Sequence, residues 1–397
     1  MKKFKRIFVI VIDSVGIGEM PDAKLFNDEG ANTLVNTSIA VGGLHVPVMN
    51  SLGLGDLAPI VGTSIVKHPQ AYSLRLRETS AGKDTMTGHW EMMGIKTTTP
   101  FQTFTETGFP LSLIKELEEK TGYKVIGNKA ASGTEILVEL GEQQMQENSL
   151  IVYTSADSVL QIAAHEEVTG LDELYRACDI AREITMKPEY FVGRVIARPY
   201  VGTNKTNFKR TPNRHDLAVS PSDTTTMDIL KENNFSVYAI GKINDIFNTR
   251  GVTEFEKTVS NKDGMEKTIN VAKTNPLTGL VYVNLVEFDS EYGHRRNPKG
   301  YAKALEEFDV QLGELLEVIN EDDLVMVTAD HGNDPTHHGT DHTREKVPLL
   351  MYSKAFKNGR TLEEKETFAV IGATILHNFN LEKTPNHIGE PLIEIFN

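Results

Sequence analysis

Four short apolar runs along the chain predict strands that are buried on both faces of a sheet. Residues 7–12, 235–240, 280–288 and 324–328 show little alternation between apolar and polar positions, and each has roughly the length of a strand. Such runs are typical of parallel strands that helices cover on both sides. The pattern therefore predicts a parallel sheet at the centre of an α/β protein.

Helical periodicity appears between these strands. In the clearest case, residues 301–319, apolar side chains recur every three or four positions and glutamates lie mostly on the opposite face. Residues 224–231 predict a helix with Asp223 as its N-cap, and residues 368–379 predict another near the C-terminus. Alternating strands and helices are typical of an α/β fold.

The middle of the chain, residues 100–218, predicts a second domain inserted into the first, which would comprise residues 1–99 and 219–397. Candidate strands lie at 123–126, 150–154 and 190–197, and candidate helices near 112–120 and 171–185. Residues 198–216 are rich in Asn, Thr, Pro and basic side chains, which predicts a returning linker or loop.

Composition and charge narrow the functional classes. The chain has 397 residues and a net charge of -14, which disfavours binding to the anionic backbone of nucleic acid. Its single cysteine, Cys178, excludes an intrachain disulfide. The apolar run after the basic N-terminus is too short for a signal peptide, and no run is long enough for a membrane span. We therefore expect a cytoplasmic protein without nucleic-acid or membrane partners.

An aspartate lies at the end of three predicted strands. Asp13, Asp289 and Asp330 are far apart in the sequence, but each stands where an apolar run gives way to a polar loop. Ligands of open α/β sheets bind beyond the carboxyl ends of the strands. The three aspartates therefore predict one shared site.

Histidines accompany two of these aspartates. His331 adjoins Asp330, His342 follows in the same loop, and His294 lies five residues after Asp289. Carboxylate oxygens and imidazole nitrogens bind divalent metals, so the spacing favours metal ligands. Taken singly, these segments also fit a solvated histidine-rich loop and a polar strand-to-helix connection, and Asp13 fits a turn cap.

A fourth segment, residues 80–91, places Thr85 near a predicted helix N-terminus. Backbone N–H groups and the positive end of the helix dipole stabilise a phosphate at such a position. A threonine hydroxyl bound to a metal ion can be deprotonated and act as a nucleophile. A threonine that merely starts the helix is the simpler alternative, and the neighbouring metal signals favour the catalytic one.

The order of these motifs resembles the alkaline phosphatase superfamily, which includes cofactor-independent phosphoglycerate mutase. The resemblance is carried by AGKDTMTGHWEMMG, EFDSEYGHRRNPKGYAKALEEFD, VTADHGNDPT and GTDHTREKVP, and it extends from about Ile7 to the C-terminus. It implies an alkaline phosphatase-like core, with a mostly parallel sheet flanked by helices, plus an inserted α/β cap domain at 100–218.

The resemblance also implies the residues of the site. Thr85 would be the nucleophile, and two manganese ions would be the cofactors. The residues implied for one ion are Asp289, His294 and His342, and those implied for the other are Asp13, Asp330 and His331 together with Thr85. Those implied for substrate are Ser155, Asp157, Arg194, Arg210 and Lys242, with Asp157 on sugar hydroxyls and the three cations on the distal phosphate.

The implied activity is the interconversion of ribose 1-phosphate and ribose 5-phosphate, and of their deoxyribose equivalents, through a phosphothreonine and a sugar bisphosphate. Glucose 1,6-bisphosphate or ribose 1,5-bisphosphate would be the activator, the partner a small sugar phosphate, and the enzyme a monomer. Such an enzyme would link nucleoside catabolism to the pentose phosphate pathway. The alternatives are a phosphatase, phosphodiesterase or phosphoglycerate mutase on the same scaffold, or a metal-storage protein, which would not account for Thr85.

Overall fold

The computed structural model describes residues 3–155 and 157–396, which form two compact units. Unit 1 comprises the described residues of 1–98 and 220–397, and unit 2 those of 99–219. Among the described residues, no helix combines the length and the apolar character that crossing a membrane requires.

The strands alternate with helices along most of the chain. The strands are β1 Arg6–Ile12, β2 Ala71–Leu76, β3 Val125–Ala130, β4 Leu150–Thr154, β5 Val159–His165, β6 Arg194–Val201, β7 Lys209–Arg210, β8 His215–Ala218, β9 Ser236–Ile240, β10 Glu254–Glu256, β11 Gly279–Leu285, β12 Asp323–Thr328, β13 Val347–Tyr352 and β14 Arg360–Thr361. The α-helices are α1 Thr33–Val41, α2 Pro47–Ser51, α3 Thr85–Met92, α4 Leu111–Thr121, α5 Glu135–Glu147, α6 Leu171–Ile184, α7 Thr226–Glu232, α8 Ile243–Ile246, α9 Asn261–Thr274, α10 Pro298–Val318 and α11 Val370–Asn378.

Unit 1 is built on an eight-stranded sheet in the order β10-β9-β11-β1-β12-β13-β2-β14. The four predicted strands are neighbours at its centre, and all pair in parallel, which confirms the sequence interpretation. Only β13 runs against the other strands. Because β9, β11, β1 and β12 point the same way, their carboxyl ends meet at one edge of the sheet.

A buried ion pair fixes the opposite edge of this sheet. Arg6 at the start of β1 lies opposite Asp323 at the start of β12. Its Nε and Nη2 donate to the two carboxylate oxygens of Asp323 at 2.7 and 2.6 Å. This two-pronged contact holds β1 and β12 in register, so that their far ends deliver Asp13 and Asp330 side by side.

Unit 2 has a separate sheet in the order β3-β4-β5-β6-β7, with β8 also paired to β6. One face packs on α4 and α6 through a cluster that includes Leu113, Leu174 and Val195. Part of the other face packs against α5 through a smaller cluster that includes Ile136 and Tyr200. Unit 2 therefore has a hydrophobic core of its own.

Several sequence-based boundaries were wrong. The strand predicted at 280–288 ends at Leu285, and Asp289 lies in a π-helical turn, Phe288–Gly293. The helix after Asp223 is capped by Thr225, whose side chain accepts from Asp228 N. The segment 198–216 is no simple linker, because it contains the end of β6, β7 and the start of β8.

Candidate metal centre

Three loops at the carboxyl edge of the unit 1 sheet bring the aspartates together. Asp13 directly follows β1, Asp330 follows β12 by two residues, and Asp289 lies in the turn after β11. Asn284 in β11 donates its Nδ2 to Asp13 Oδ2 at 2.9 Å, and the backbone N of Ser14 donates to Asp330 Oδ1 at 3.0 Å. These two contacts tie the three strand ends to one another.

The first group of candidate ligands consists of Asp289, His294 and His342. Asp289 Oδ2 lies 2.9 Å from His294 Nε2 and 3.4 Å from His342 Nε2. The two Nε2 atoms lie only 3.1 Å apart. Three potential ligand atoms therefore converge on one small volume.

The backbone shows which imidazole nitrogens carry the protons. His294 Nδ1 lies 2.6 Å from Thr340 O, and His342 Nδ1 lies 3.0 Å from Lys83 O. A carbonyl oxygen only accepts, so each Nδ1 must be the donor, and each neutral imidazole presents a lone pair at Nε2. Lone pairs that face each other and a carboxylate need a positive charge between them, which fits a divalent cation.

The second group contains Asp13, Asp289 and His331. Asp330 is not in that group, but its Oδ2 lies 3.4 Å from His331 Nε2, as does Asp13 Oδ1. Both of these carboxylate oxygens are buried and accept no hydrogen bond. His331 Nδ1 lies 3.0 Å from Gly332 O, so Nδ1 donates there and Nε2 faces the two carboxylates. Buried acceptors without donors are what a cation would satisfy.

Electrostatics also favour a cation here. Burial alone would lower the pKa of His331, but the carboxylates of Asp330 and Asp13 outweigh it and raise that pKa well above its ordinary value. Burial and the neighbouring Asp330 raise the pKa of Asp13. The buried centre thus carries excess negative charge, which a proton on His331 or a bound metal ion would balance.

Thr85 is the first residue of α3 and reaches the same centre. Its Oγ1 lies 3.2 Å from His331 Nε2, and the helix N-cap is Asp84, which accepts from Thr87 N. The helix approaches β12 closely at Gly88, where an added Cβ would lie 2.1 Å from Asp330 O. Thr85 is therefore held beside the second group by a tight helix–strand contact.

The seven predicted core residues thus lie within one network of contacts at the sheet edge. Sequence reasoning missed the residues that orient them. These are His89, Asn284, Asn333 and Arg296. His89, Asn333 and Arg296 stand inside the quoted motifs, so their position beside the ligands was the available signal.

The predicted substrate residues are distributed over both units. In unit 2, Arg194 Nη2 lies 4.0 Å from Asp157 Oδ2, and the backbone O of Ser155 accepts from Thr105 Oγ1. Arg210 is exposed on β7, next to Tyr200 of β6. Lys242 belongs to unit 1, where it is exposed and precedes α8.

Unit 2 offers further positive charge near these residues. Arg198 lies on the same face of β6 as Arg194, and its Nε donates to Gln161 Oε1 at 2.9 Å. Burial and the positive charges of Arg214 and Arg210 lower the pKa of Arg198. Several guanidinium groups therefore share one side of the sheet, as anion binding requires.

Comparison with known proteins gives the class of the molecule. Residues 5–383 match the sequence model of the metalloenzyme superfamily. The fold is similar to that of Leishmania mexicana phosphoglycerate mutase, with a TM-score of 0.51 at 12% identity over 98% of this chain and 97% of that one. It is also similar to the PH0037 protein of Pyrococcus horikoshii, with a TM-score of 0.50 at 12% identity over 97% and 99%. The expected alkaline phosphatase-like α/β fold is thereby confirmed.

Closer relatives give the particular family. The chain is 56% identical to the phosphopentomutase of Clostridium beijerinckii over 393 residues, which cover 99% of each protein. It is 54% identical to the phosphopentomutase of Clostridium perfringens over 393 residues, again 99% of each. The chain therefore belongs to the phosphopentomutase family of metalloenzymes.

Proposed function

We propose that this enzyme interconverts ribose 1-phosphate and ribose 5-phosphate, and their deoxyribose equivalents, with Thr85 as the phosphoryl carrier. The observation that supports this most directly is the position of the Thr85 hydroxyl, 3.2 Å from His331 Nε2 and at the first turn of α3. A helix N-terminus stabilises the added negative charge of a phosphorylated threonine.

Two divalent ions, which we take to be Mn²⁺, fit the candidate ligands. Asp289, His294 and His342 would hold one. The residues proposed for the other are Asp13, Asp330, His331 and Thr85. Such ions supply charge stabilisation for the transferring phosphoryl group and lower the pKa of a coordinated hydroxyl. The chain itself contributes the fixed tautomers and buried carboxylates that seat them.

The transfer is proposed to run in two balanced steps. The bond from phosphorus to Thr85 Oγ1 breaks as a new bond forms to the free hydroxyl of a ribose monophosphate, whose proton ends on Thr85 Oγ1. The product is ribose 1,5-bisphosphate. Its other phosphoryl group then returns to Thr85, which releases the isomeric monophosphate. Glucose 1,6-bisphosphate or ribose 1,5-bisphosphate would phosphorylate Thr85 at the start.

Unit 1 is proposed as the catalytic core and unit 2 as a substrate-binding cap. In unit 2, Asp157 and Ser155 have the polar groups to bind sugar hydroxyls. Arg194 and Arg210 have the planar fork that suits a phosphate. Lys242 is retained as a further phosphate ligand on its charge alone. We expect a cytoplasmic monomer that acts on small sugar phosphates and links nucleoside catabolism to the pentose phosphate pathway.

The test is an assay of Thr85→Ala and Thr85→Ser with ribose 1-phosphate, Mn²⁺ and glucose 1,6-bisphosphate. Ribose 5-phosphate and free phosphate are both measured, because a phosphatase would release the latter. We expect the alanine variant to lose mutase turnover while it retains Mn²⁺ binding, and wild-type protein to gain one phosphate on Thr85 by mass spectrometry. Substantial turnover by the alanine variant would refute the phosphothreonine route.

A further inference from the structure

Arg296 lies between the two loops that supply the first group of candidate ligands. Its guanidinium group donates to four backbone carbonyls and one amide oxygen. The acceptors are Gly339 O at 2.6 Å, Gly293 O at 2.7 Å, Asp341 O at 2.9 Å, His338 O at 3.3 Å and Asn333 Oδ1 at 2.5 Å. All five donors of an arginine fork are suited to such a set, whereas a lysine has one compact ammonium group.

Each candidate ligand of the first group is connected to one of these acceptors by a single hydrogen bond or through an adjacent residue. Asn333, which accepts from Arg296, donates its Nδ2 to Asp289 Oδ1 at 2.7 Å. Thr340, whose carbonyl orients His294 Nδ1 at 2.6 Å, lies between the anchored carbonyls of Gly339 and Asp341. His342 directly follows the anchored Asp341. One side chain therefore fixes the surroundings of all three.

The backbone at Arg296 supports a specific role. Its φ is 50°, in the left-handed region that side chains other than glycine seldom occupy. A non-glycine residue held there pays a backbone strain energy. The cost is offset because this conformation directs the guanidinium group at the 338–341 segment. An arginine that only solvated the surface would not need it.

We propose that Arg296 is the positioning residue that assembles the Asp289–His294–His342 metal position. It acts through Asn333 and through the carbonyls of the 338–341 segment, and it does not touch the metal ion. The inference rests on the proposed metal centre, and it goes beyond it by predicting that the two metal positions depend unequally on one side chain. Outer groups of this kind typically change metal affinity by about 10- to 100-fold.

The chain supplies a matched control in the adjacent Arg295. That side chain is exposed and pairs with Glu291 at 3.0 Å on the surface. Arg296→Lys and Arg295→Lys are the same chemical change one residue apart. His294→Ala marks loss of the first position, and Asp13→Asn marks loss of the second.

The experiment is calorimetric titration of the metal-free full-length proteins with Mn²⁺ alone, so that mutase activity plays no part. We expect wild-type protein and Arg295→Lys to bind two ions alike. Arg296→Lys should bind one ion normally and the other about 10- to 100-fold more weakly, as His294→Ala does more severely. Raising Mn²⁺ should then restore the kcat of Arg296→Lys with its sugar-phosphate KM unchanged.

The opposite results are equally defined. Normal binding of both ions by Arg296→Lys, or equal weakening of both, would overturn the inference while leaving the metal centre intact. Fewer than two ions on wild-type protein would overturn the metal centre and this inference together. If Arg296→Lys unfolds at a lower temperature in the metal-free state, Arg296→Gln, which keeps donors at shorter reach, must still show the unequal loss.

Discussion

At the scale of single residues, backbone carbonyls decide the protonation of the site's histidines. Carbonyl oxygens of Thr340, Lys83 and Gly332 each face the Nδ1 atom of one candidate metal ligand. Each Nδ1 therefore donates to a carbonyl, which directs the Nε2 atom of each ligand at the centre. A fixed tautomer suits metal binding because Nε2 already faces the ion, and the raised pKa of His331 means that this ligand releases a proton when the ion enters.

A fourth histidine, His89, also places its Nδ1 beside a backbone carbonyl. Its Nδ1 lies 2.8 Å from Thr85 O and 3.2 Å from Asp330 Oδ2. His89→Asn keeps a donor near the Nδ1 position, whereas His89→Gln moves it to the Nε2 position. We expect kcat to fall by about 10- to 100-fold in the glutamine variant and by less in the asparagine variant. Equal losses in the two would contradict this role for Nδ1.

A buried glutamate makes a prediction about pH. Glu345 accepts from Thr33 N, Gly18 N and the hydroxyls of Thr33 and Thr343, yet burial raises the pKa of its carboxyl to about 7 from an ordinary 4.5. Because the pKa is higher in the folded state, protonated Glu345 stabilises the fold. This contribution is fully present below pH 4.5 and is lost as pH rises through about 7. The loss amounts to about 3 kcal/mol.

Glu345→Gln isolates that contribution. The amide cannot ionise, so its free energy of unfolding should decline less between pH 5 and pH 8 than that of wild-type protein. Urea denaturation at each pH measures the difference, and only the change of the difference with pH counts, because the substitution alters the hydrogen bonds at every pH. Parallel curves for the two proteins would show that Glu345 does not titrate in this range.

At the scale of elements, the contact between α3 and the end of β12 positions Thr85, the proposed nucleophile. Gly88→Ala adds a methyl group 2.1 Å from Asp330 O, so α3 must move. Helix propensity alone would make the alanine variant more stable by up to about 1 kcal/mol, so a loss of stability would have to come from the steric clash. We expect lower stability and a kcat reduced by about 100-fold, since a shift near 1 Å costs that much.

Gly313→Ala in α10 is the control for that prediction. There the added methyl group meets only Val48 Cγ2, at 3.3 Å, and the side chain can give way. Thermal unfolding and turnover of both variants are compared with those of wild-type protein. A Gly88→Ala protein as active as Gly313→Ala would mean that the helix–strand contact does not set the place of Thr85.

The elements that the sequence predicted best are those whose pattern does not depend on partners. Continuous apolar runs predicted β1, β9, β11 and β12, because short runs rich in β-branched residues between polar loops favour buried strands over helices. β2 and β13, which extend the same sheet, were not predicted, since AYSLRL alternates only in part and VPLLMY contains a proline, and both features weaken a strand signal. Asp289 was assigned to a strand end because a π-helical turn leaves no periodic trace.

The residues of the site also differ in how well the sequence predicts them. Candidate ligands can be read from residue type and order, because carboxylates and imidazoles after strands are distinctive. Positioning residues cannot be identified from the sequence, because neighbouring residues of the same type cannot be told apart there. Nothing in HRRNP separates Arg296, which makes five contacts in the centre of two loops, from the exposed Arg295 beside it. The structure distinguishes them by these contacts and by the left-handed backbone at Arg296, which no local propensity predicts.

At the scale of the molecule, the candidate metal centre places three aspartates in the protein interior. Asp13, Asp289 and Asp330 are all buried, and each lies in a loop or turn that follows a strand of the sheet. Burial and the neighbouring Asp330 raise the pKa of Asp13, so its negative charge is costly in the metal-free centre, and a bound cation would relieve that cost. An ion that binds only the folded state stabilises it by about 2.7 kcal/mol per site at a hundred times its Kd.

Stability should therefore depend on metal through these carboxylates and not through buried carboxylates in general. We expect the unfolding temperature of wild-type protein to rise steadily with the logarithm of Mn²⁺ concentration, and that of Asp289→Asn to rise much less. Asp309 is the control, because it is also buried but accepts from the backbone N of Val48 and Met49 at the start of α2. Asp309→Asn should lower the unfolding temperature while keeping the full rise with Mn²⁺. If the unfolding temperature of Asp289→Asn rose as much as that of wild-type protein, the metal-dependent stability would not come from this centre.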